Sequence, residues 1–420
     1  MVGVTRRLTL VMAVGCALSA ANLYYAQPLL EAISRSFGAG PGGVSTVVTM
    51  SQIGYGLGLL ALVPLGDLVD RRRMVCALLV VTAAALAGAA VAPSLAALDA
   101  AILIASLTSV VVQVLVPFAA ALAAPAERGR VVGAVMSGLL MGILLARTLA
   151  GAVAALAGWR SVYVMAAVLM LGLAALLRRE LPTPPRPAAA GYPALMRSVL
   201  EIARQEPIVR RRAFYGAAMF ASFSVFWTSL AFLLTRPPYG YGEGVIGLFG
   251  LVGLAGAAMA NVAGRAADAG RTRPATGLAL AGLAASFALL ALGSTSLAAL
   301  IAGVVLLDAA VQAGQILNQS EIYRVRPDAT SRVTTVYMAI YFAGGAVGSA
   351  SAGALYATAG WGGVCALGAG LALAGLAAWV CEPRSHAARS DLPAADGWGT
   401  GSRSSGPADT SSPTSSALAR

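Results

Sequence analysis

The sequence predicts an all-α membrane protein of twelve transmembrane helices, arranged as two pseudo-symmetric six-helix bundles. Three observations support this fold class. The chain is poor in charge, with 11% charged and 58% hydrophobic residues, whereas a soluble domain has roughly 25% charged residues. Apolar blocks of about 20 residues, long enough to cross a bilayer, recur along the chain. The second half of the sequence also repeats features of the first.

The predicted spans and the hydrophilic segments between and after them divide the chain into four regions. Six predicted spans precede a hydrophilic segment and six follow it. They lie at about 8–33, 44–65, 75–92, 97–123, 131–156, 160–177, 213–235, 245–263, 275–293, 297–320, 333–357 and 361–380. We therefore predict an N-terminal bundle at 1–177, a cytoplasmic linker at 178–212, a C-terminal bundle at 213–381 and a disordered, Ser/Pro/Gly-rich cytoplasmic tail at 382–420.

The basic residues indicate how the chain crosses the membrane. All 29 are arginine, and nearly all fall in loops on one side of the predicted topology. Only Arg35, Arg160 and Arg236 fall on the other side, and Arg147 falls within a span. Because positively charged loops stay in the cytoplasm, we predict a multi-pass protein of the inner or plasma membrane with both termini cytoplasmic. The net charge of +12 then reflects topology and does not indicate a nucleic-acid partner.

Sequence motifs for catalysis, metals and cofactors are missing. The four cysteines have no metal-ligand spacing, and the single histidine, His386, lies in the tail. The segment GEGVIG at 242–247 has the glycines of a dinucleotide motif but no preceding strand. A close-packing helix face explains its glycines better, together with those that follow: Gly247, Gly250, Gly253 and Gly256. We predict a protein that is not an enzyme and needs no metal or cofactor.

A shift of 202 residues aligns the two halves of the sequence. The aligned pairs include Gln113 with Gln315, Gly142 with Gly344, Gly151 with Gly353, and the dipeptide GW at 158–159 with GW at 360–361. With six spans in each half, both halves enter the membrane from the same side. The repeats are therefore parallel and related by an axis along the membrane normal.

The stretch GDLVDRRRM at 66–74 resembles the signature loop of the major facilitator superfamily, roughly G-x-L-A-D-R-x-G-R, and GRAADAGR at 264–271 resembles a second copy. The resemblance implies the superfamily's twelve-helix fold. It also implies a cytoplasmic latch, whose charged bonds form in one arrangement of the bundles and break in the other. The residues assigned to these gate loops are Gly66, Asp70, Arg71, Arg73, Gly264, Asp268 and Arg271, of which Arg73 stands where the pattern has its second glycine. A solvated basic loop that only fixes topology is the alternative.

The fifth predicted span resembles the glycine pattern of antiporters in the same superfamily, with Arg147 where proline would stand, and the eleventh span repeats it loosely. Small residues at this spacing let helices touch and slide. The glycines assigned to helix packing are Gly133, Gly142, Gly151, Gly344, Gly348 and Gly353. The stretch AANLYYAQPLL at 20–30 resembles the drug- and metabolite-efflux branch, which includes nucleoside and sugar exporters.

Arg147 and Asp308 are the charges we expect to be functional. An arginine at a helix centre costs at least ~2.5–3.5 kcal/mol on insertion scales, so it should face the bundle interior and find a partner. Asp308 is the only acid near the middle of a predicted span. Arg147 can be a counter-ion for Asp308, a ligand for an anionic substrate, or half of a proton-switched pair. A purely structural ion pair is the alternative.

Amides and aromatic residues on the cavity-facing spans predict a mostly apolar pocket for a small organic molecule, although such aromatics often only pack. The predicted lining residues are Asn22, Tyr25, Gln27, Gln113, Phe223, Trp227, Gln312 and Gln315. We predict a monomeric secondary transporter, surrounded by membrane lipid, that exports a drug or metabolite by alternating access in exchange for protons. A symporter or facilitator for uptake is one alternative, and a non-transporting membrane sensor or enzyme is another.

Overall fold

The computed structural model describes residues 5–124, 127–182, 191–326 and 329–382. These residues fold almost entirely into helices, and no β-strand occurs within those ranges. Nine helical segments of the described chain are long and apolar enough to cross a membrane. The prediction of an all-α membrane fold is confirmed, and the count of twelve crossings stays a prediction.

Sixteen α-helices occur in the described residues. Those before residue 182 are α1 (Arg6–Ala21), α2 (Leu30–Phe37), α3 (Pro41–Val44), α4 (Thr46–Ala61), α5 (Arg71–Ala90), α6 (Leu95–Thr108), α7 (Val111–Leu122), α8 (Arg128–Ala157) and α9 (Trp159–Glu180). Those after residue 191 are α10 (Tyr192–Gln205), α11 (Pro207–Leu234), α12 (Glu243–Val252), α13 (Leu254–Asp268), α14 (Thr272–Leu292), α15 (Leu297–Val325) and α16 (Thr330–Val380).

Several predicted spans are helices with a break inside. The first span consists of α1, turns at 22–26, a 3₁₀ turn at Gln27–Leu29, and α2. Pro28 has no amide hydrogen to donate to a preceding carbonyl, so a regular helix is disfavoured there. The eighth span breaks at Gly253, between α12 and α13. Helix α16 contains two helices that meet at Gly360, whose φ of 63° is readily adopted by glycine.

The predicted linker contains a helix of its own. Helix α9 runs to Glu180 and α11 begins at Pro207, with the amphipathic α10 between them. Arg212, which the prediction assigned to the linker, is instead buried within α11, where its Nη1 donates to Thr276 Oγ1 at 2.9 Å. The tail beyond Glu382 lies outside the described residues.

One end of the helices gathers many of the arginines, and we call it the arginine-rich end. It includes Arg6, Arg7, Arg71, Arg72, Arg73, Arg178, Arg179, Arg324 and Arg332. Contacts tie its segments together. They join Arg7 to Glu180 at 2.6 Å, the Tyr192 hydroxyl to the Ala61 carbonyl at 3.1 Å, and Arg332 to the Ser198 hydroxyl. Through the last two, α10 contacts both α4 and α16.

Glycines bring α8 close to α12, and α16 close to α3 and to the residue before α4, both toward the opposite end. A Cβ on Gly151 would lie 2.4 Å from the Glu243 carbonyl oxygen and 2.9 Å from Gly247 Cα. A Cβ on Gly353 would lie 2.4 Å from the Pro41 carbonyl oxygen and 2.4 Å from Ser45 Oγ. The three residues of the second contact differ by 202 positions from those of the first, which is the offset of the sequence repeat. Arg35 and Glu243 form a salt bridge of 2.9 Å at this end.

The remaining packing glycines divide into two groups. Gly142 lies against Ala17 of α1, Gly344 against Ala217 of α11, and Gly348 against Ala221, all at distances that exclude a methyl group. Gly133 differs, because a Cβ there would meet nothing within 4 Å. Gly133 therefore makes no close helix contact in this conformation, contrary to its assigned packing role.

Candidate substrate and proton site

Arg147 is buried in the middle of α8, with only 3% of its surface exposed. The facing surface of α12 is glycine: a Cβ on Gly250 would lie 2.9 Å from Arg147 Cβ, and one on Gly247 would lie 2.6 Å from the Arg147 carbonyl oxygen. These glycines let the two helices approach until the arginine backbone is covered. Its side chain therefore extends into the protein, away from lipid.

The arginine side chain reaches the break between α1 and α2. Its Nε donates to Gln27 Oε1 at 2.6 Å. Gln27 is itself 2% exposed and lies in the 3₁₀ turn that Pro28 helps to form. The broken first span thus supplies a polar partner at the depth where an unbroken apolar helix would offer none.

Aromatic rings enclose the guanidinium. Its Cζ atom lies 3.9 Å from the ring centroid of Trp227, 4.8 Å from that of Tyr24 and 5.7 Å from that of Phe223. A cation over an aromatic face is attracted by the ring quadrupole, and the attraction grows when water is excluded. The rings therefore stabilise a charge that would otherwise be costly at this depth.

Asp308 of α15 lies on the other side of the indole. It is 7% exposed, and its Oδ1 accepts the Trp227 Nε1 hydrogen at 3.3 Å. The break between α12 and α13 faces it, because a Cβ on Gly253 would lie 2.4 Å from Asp308 Oδ2 and one on Gly256 would lie 3.0 Å from Asp308 Cβ. A methyl group on Gly256 would meet the Asp308 backbone, and one on Gly253 would displace the carboxylate.

Trp227 connects the two charges. Arg147 and Asp308 form no direct salt bridge, which would require a nitrogen–oxygen distance of 4.0 Å or less. The guanidinium stacks on the indole face while the carboxylate accepts from the indole edge. Displacing either charged group therefore disturbs the ring that the other one contacts.

A narrow gap of about 10 Å³ lies beside Arg147, roughly the room that one water occupies. Its lining residues are Gln27, Pro28, Arg147, Trp227, Leu230, Ala231 and Ile246. Two buried nitrogens in this group, Arg147 Nη2 and Gln27 Nε2, have no hydrogen-bond partner. The gap is too small for an organic solute in this conformation, but its polar atoms are left ready to bond.

The other predicted lining residues lie apart from this group or add no bond to it. Asn22 donates to Ser109 Oγ at 3.1 Å and to Met170 Sδ at 3.5 Å, on neighbouring helices. Tyr25 is fully buried. Gln113, Gln312 and Gln315 are half-buried. The structure thus brings Gln27, Phe223 and Trp227 to Arg147, and it turns Asn22 toward α9.

Comparison with known proteins identifies the family. A family model described as "Major Facilitator Superfamily" matches residues 12–325. The chain belongs to this superfamily. It is 46% identical over 372 residues to the "Uncharacterized transporter YgaY" of Escherichia coli O157:H7, covering 89% of this chain and 94% of that protein. It is 39% identical over 383 residues to the "Probable transporter SCO4007" of Streptomyces coelicolor, covering 91% and 89%.

Solved structures of low sequence identity share the fold of this protein. A mutant of the nucleoside transporter NupG superposes with a TM-score of 0.71 at 14% identity, over 89% of this chain and 98% of that one. A D-xylose–proton symporter superposes with a TM-score of 0.69 at 15% identity, over 89% and 96%. The chain is a membrane transporter of the facilitator type, as the signature loop indicated. The efflux branch stays a prediction.

The first signature loop of this protein is held in place by hydrogen bonds within the loop. Asp70 begins α5, accepting from the amide of Arg72 at 2.9 Å and that of Arg73 at 3.3 Å. The Arg71 Nε donates to the Gly66 carbonyl at 3.0 Å. In the second copy, Asp268 and Arg271 are exposed. The latch therefore stays a prediction.

Sequence reasoning missed two features of this site. Tyr24 faces the guanidinium, although Tyr25 was the tyrosine assigned to the cavity. Gly253 and Gly256 receive Asp308, although they were assigned only to packing. The available signals were the Tyr-Tyr pair before Pro28, and glycines spaced by three within an apolar span. Neither indicates which side chain they face.

Proposed function

We propose that this transporter moves a small organic solute by alternating access, coupled to protons, and that it exports the solute in exchange for protons. The observation that carries the proposal is the Trp227 ring, held between a buried arginine and a buried acid. Buried ionisable residues in membrane helices mark ion and substrate pathways in most transporters. The apolar walls around them suit an organic solute.

In this proposal, Asp308 carries the coupling proton. While it is ionised, it accepts from the indole and attracts Arg147 through a low-dielectric interior. Protonation removes that charge and weakens the bond to Trp227. Helices α8 and α11 are then free to shift against α15. Exchange follows if the solute binds only while Asp308 is ionised.

We also propose the arrangement in which this happens. Two six-helix bundles of a monomer, at 1–177 and 213–381, would tilt about the site, with both termini and the arginine-rich end in the cytoplasm. The paired glycine contacts and the Arg35–Glu243 salt bridge would part when the opposite end opens.

The test is transport in proteoliposomes with an imposed pH gradient and a panel of nucleosides, sugars and drugs. We expect the gradient to drive solute flux, and Asp308→Asn to abolish the dependence on the gradient. Asp99→Asn is the matched control: Asp99 is also an acid within a helix, but it accepts from Thr46 at 2.7 Å, away from Arg147. Flux that ignores the gradient would refute coupling, and wild-type flux in both Asp308→Asn and Arg147→Ala would refute the site.

Uptake together with protons is the second candidate mode. The unpartnered nitrogens of Arg147 and Gln27 favour it. A solute acceptor bound there would share the arginine charge with Asp308 and so favour the protonated acid. Solute moving in the same direction as the protons would identify this mode, and movement in the opposite direction would identify exchange.

A further inference from the structure

We infer that the group formed by Arg147 and Gln27 is a subsite for a carboxylate, so that the solute is an organic acid with an apolar body. This inference rests on the proposed function, because it names the class of solute bound at the same site. Of the two modes it goes with uptake together with protons, because an anion beside Arg147 favours the protonated form of Asp308.

The unpartnered buried side-chain atoms at the gap are hydrogen-bond donors. The oxygen of Gln27 accepts from Arg147 Nε at 2.6 Å, and the amide nitrogen is left without a partner. Arg147 Nη2 is a second donor without a partner. Both side chains are more than nine-tenths buried. A buried site with two unbonded donors and a positive charge favours an anionic acceptor.

The chemistry of the guanidinium suits a planar anion. The group is planar, its hydrogens lie in that plane, and its Cζ is held 3.9 Å from the Trp227 ring centroid. A guanidinium edge and a carboxylate bond through parallel hydrogen bonds, a geometry that an ammonium group cannot supply. Tyr24 covers a further part of the cation and limits its approach by water.

The acid of the site does not occupy this position. Asp308 is turned to the indole edge and to Gly253, and it is not among the residues that line the gap. The Arg147 charge is therefore shared with Asp308 across the ring rather than neutralised by direct contact. Positive charge remains available for a solute.

The residues that line the gap indicate the chemistry of the rest of the solute. Pro28, Leu230, Ala231 and Ile246 are apolar, so the body next to the carboxylate should be apolar as well. In this conformation the gap has room for about one water, so the carboxylate and the body of the solute must both enter when the helices part. A phosphate monoester would be larger and doubly charged, and a single arginine would leave one of its charges unpaired in a buried, apolar site.

The test is binding of matched acids and amides to the purified full-length protein in detergent. The probes are benzoate against benzamide, and indole-3-acetate against indole-3-acetamide, measured by equilibrium binding and by the shift in thermal unfolding. We expect at least one acid to bind about tenfold more tightly than its amide, since it gains charge-assisted bonds. Equal affinities of acid and amide in both pairs would overturn the inference.

Gln27→Glu is the decisive variant. It keeps the shape of the side chain, but it replaces a donor with a negative charge next to Arg147, so acid binding should fall by at least about tenfold. Gln319→Glu on α15, outside the gap, is the matched control and should bind like the wild type. Arg147→Lys retains the charge without the planar edge and should bind acids more weakly, so it tests the inference again if Gln27→Glu fails to fold. Unchanged acid binding in the folded Gln27→Glu or Arg147→Lys protein would overturn it.

The two proposals fail in different ways. Acid binding without proton-driven flux would leave the subsite intact and refute proton coupling. Proton-driven flux of neutral solutes, without a preference for acids, would support coupling and refute the subsite.

Discussion

At the scale of single residues, Trp227 is the residue that joins the two buried charges. Its ring face carries the Arg147 guanidinium and its N–H bonds Asp308. Phenylalanine would retain the ring for Arg147 and remove the bond to the acid. The two functions of the indole can therefore be separated by one substitution.

We predict that Trp227→Phe lowers stability by roughly 1 kcal/mol, the usual worth of a buried hydrogen bond, and changes the proton dependence of transport. Trp361→Phe is the control, because Trp361 also donates from Nε1, at 2.7 Å to the Leu290 carbonyl, without contacting an acid. The temperature of thermal unfolding should fall in both variants. The dependence of flux on the pH gradient should change only in Trp227→Phe, and the same change in both would contradict the role of the indole.

Sequence alone indicated which charges to examine but not how they meet. Arg147 and Asp308 stand out because each is a rare charge in an apolar block. Their connection through Trp227 depends on the rotation of α8, α11 and α15, which apolar composition does not determine. The break at 22–26 was also hidden, because it contains apolar residues that continue the span. Arg212 was assigned to the linker because a run of three arginines is typical of a loop.

At the scale of elements, glycines decide where helices touch. Gly151 lies against the backbone of α12, which cannot move aside as a flexible side chain would. Gly133, one turn into the same helix, faces open space. The two positions were predicted from one pattern, and the structure separates them because only one end of α8 is in contact with α12.

We predict opposite effects for two alanine substitutions on α8. Gly151→Ala should destabilise the protein by about 1–3 kcal/mol, the typical cost of overpacking, because the new methyl group would lie 2.4 Å from the Glu243 carbonyl oxygen. Gly133→Ala should be neutral or stabilising by up to about 1 kcal/mol, because alanine favours the helix. Thermal unfolding in detergent measures both, and equal losses would contradict the contact at Gly151.

At the scale of the whole molecule, the arginine-rich end determines the orientation that we expect in the membrane. The contacts of Arg7, Tyr192 and Arg332 show that the ends of several helices meet there. Positive charge on one side of a membrane protein retains that side in the cytoplasm. The turn between α14 and α15 should therefore face outward.

We predict that a membrane-impermeant maleimide added to intact cells labels Thr295→Cys, in that turn, and leaves the native Cys381 unlabelled. Both positions are exposed in the protein, so accessibility within the fold does not distinguish them. Permeabilised cells, in which Cys381 should react, provide the control. Labelling of Cys381 from outside would reverse the proposed topology.

The matched contacts of Gly151 and Gly353 show how the two halves of the molecule fit together. Each joins one half to the other through residues that occupy corresponding places. Such self-complementary surfaces are what twin subunits of a homodimer present to each other. The geometry of these two contacts is therefore that of two like subunits joined in one chain. The two halves contact each other through these surfaces, and because one chain contains both halves, they are always synthesised together.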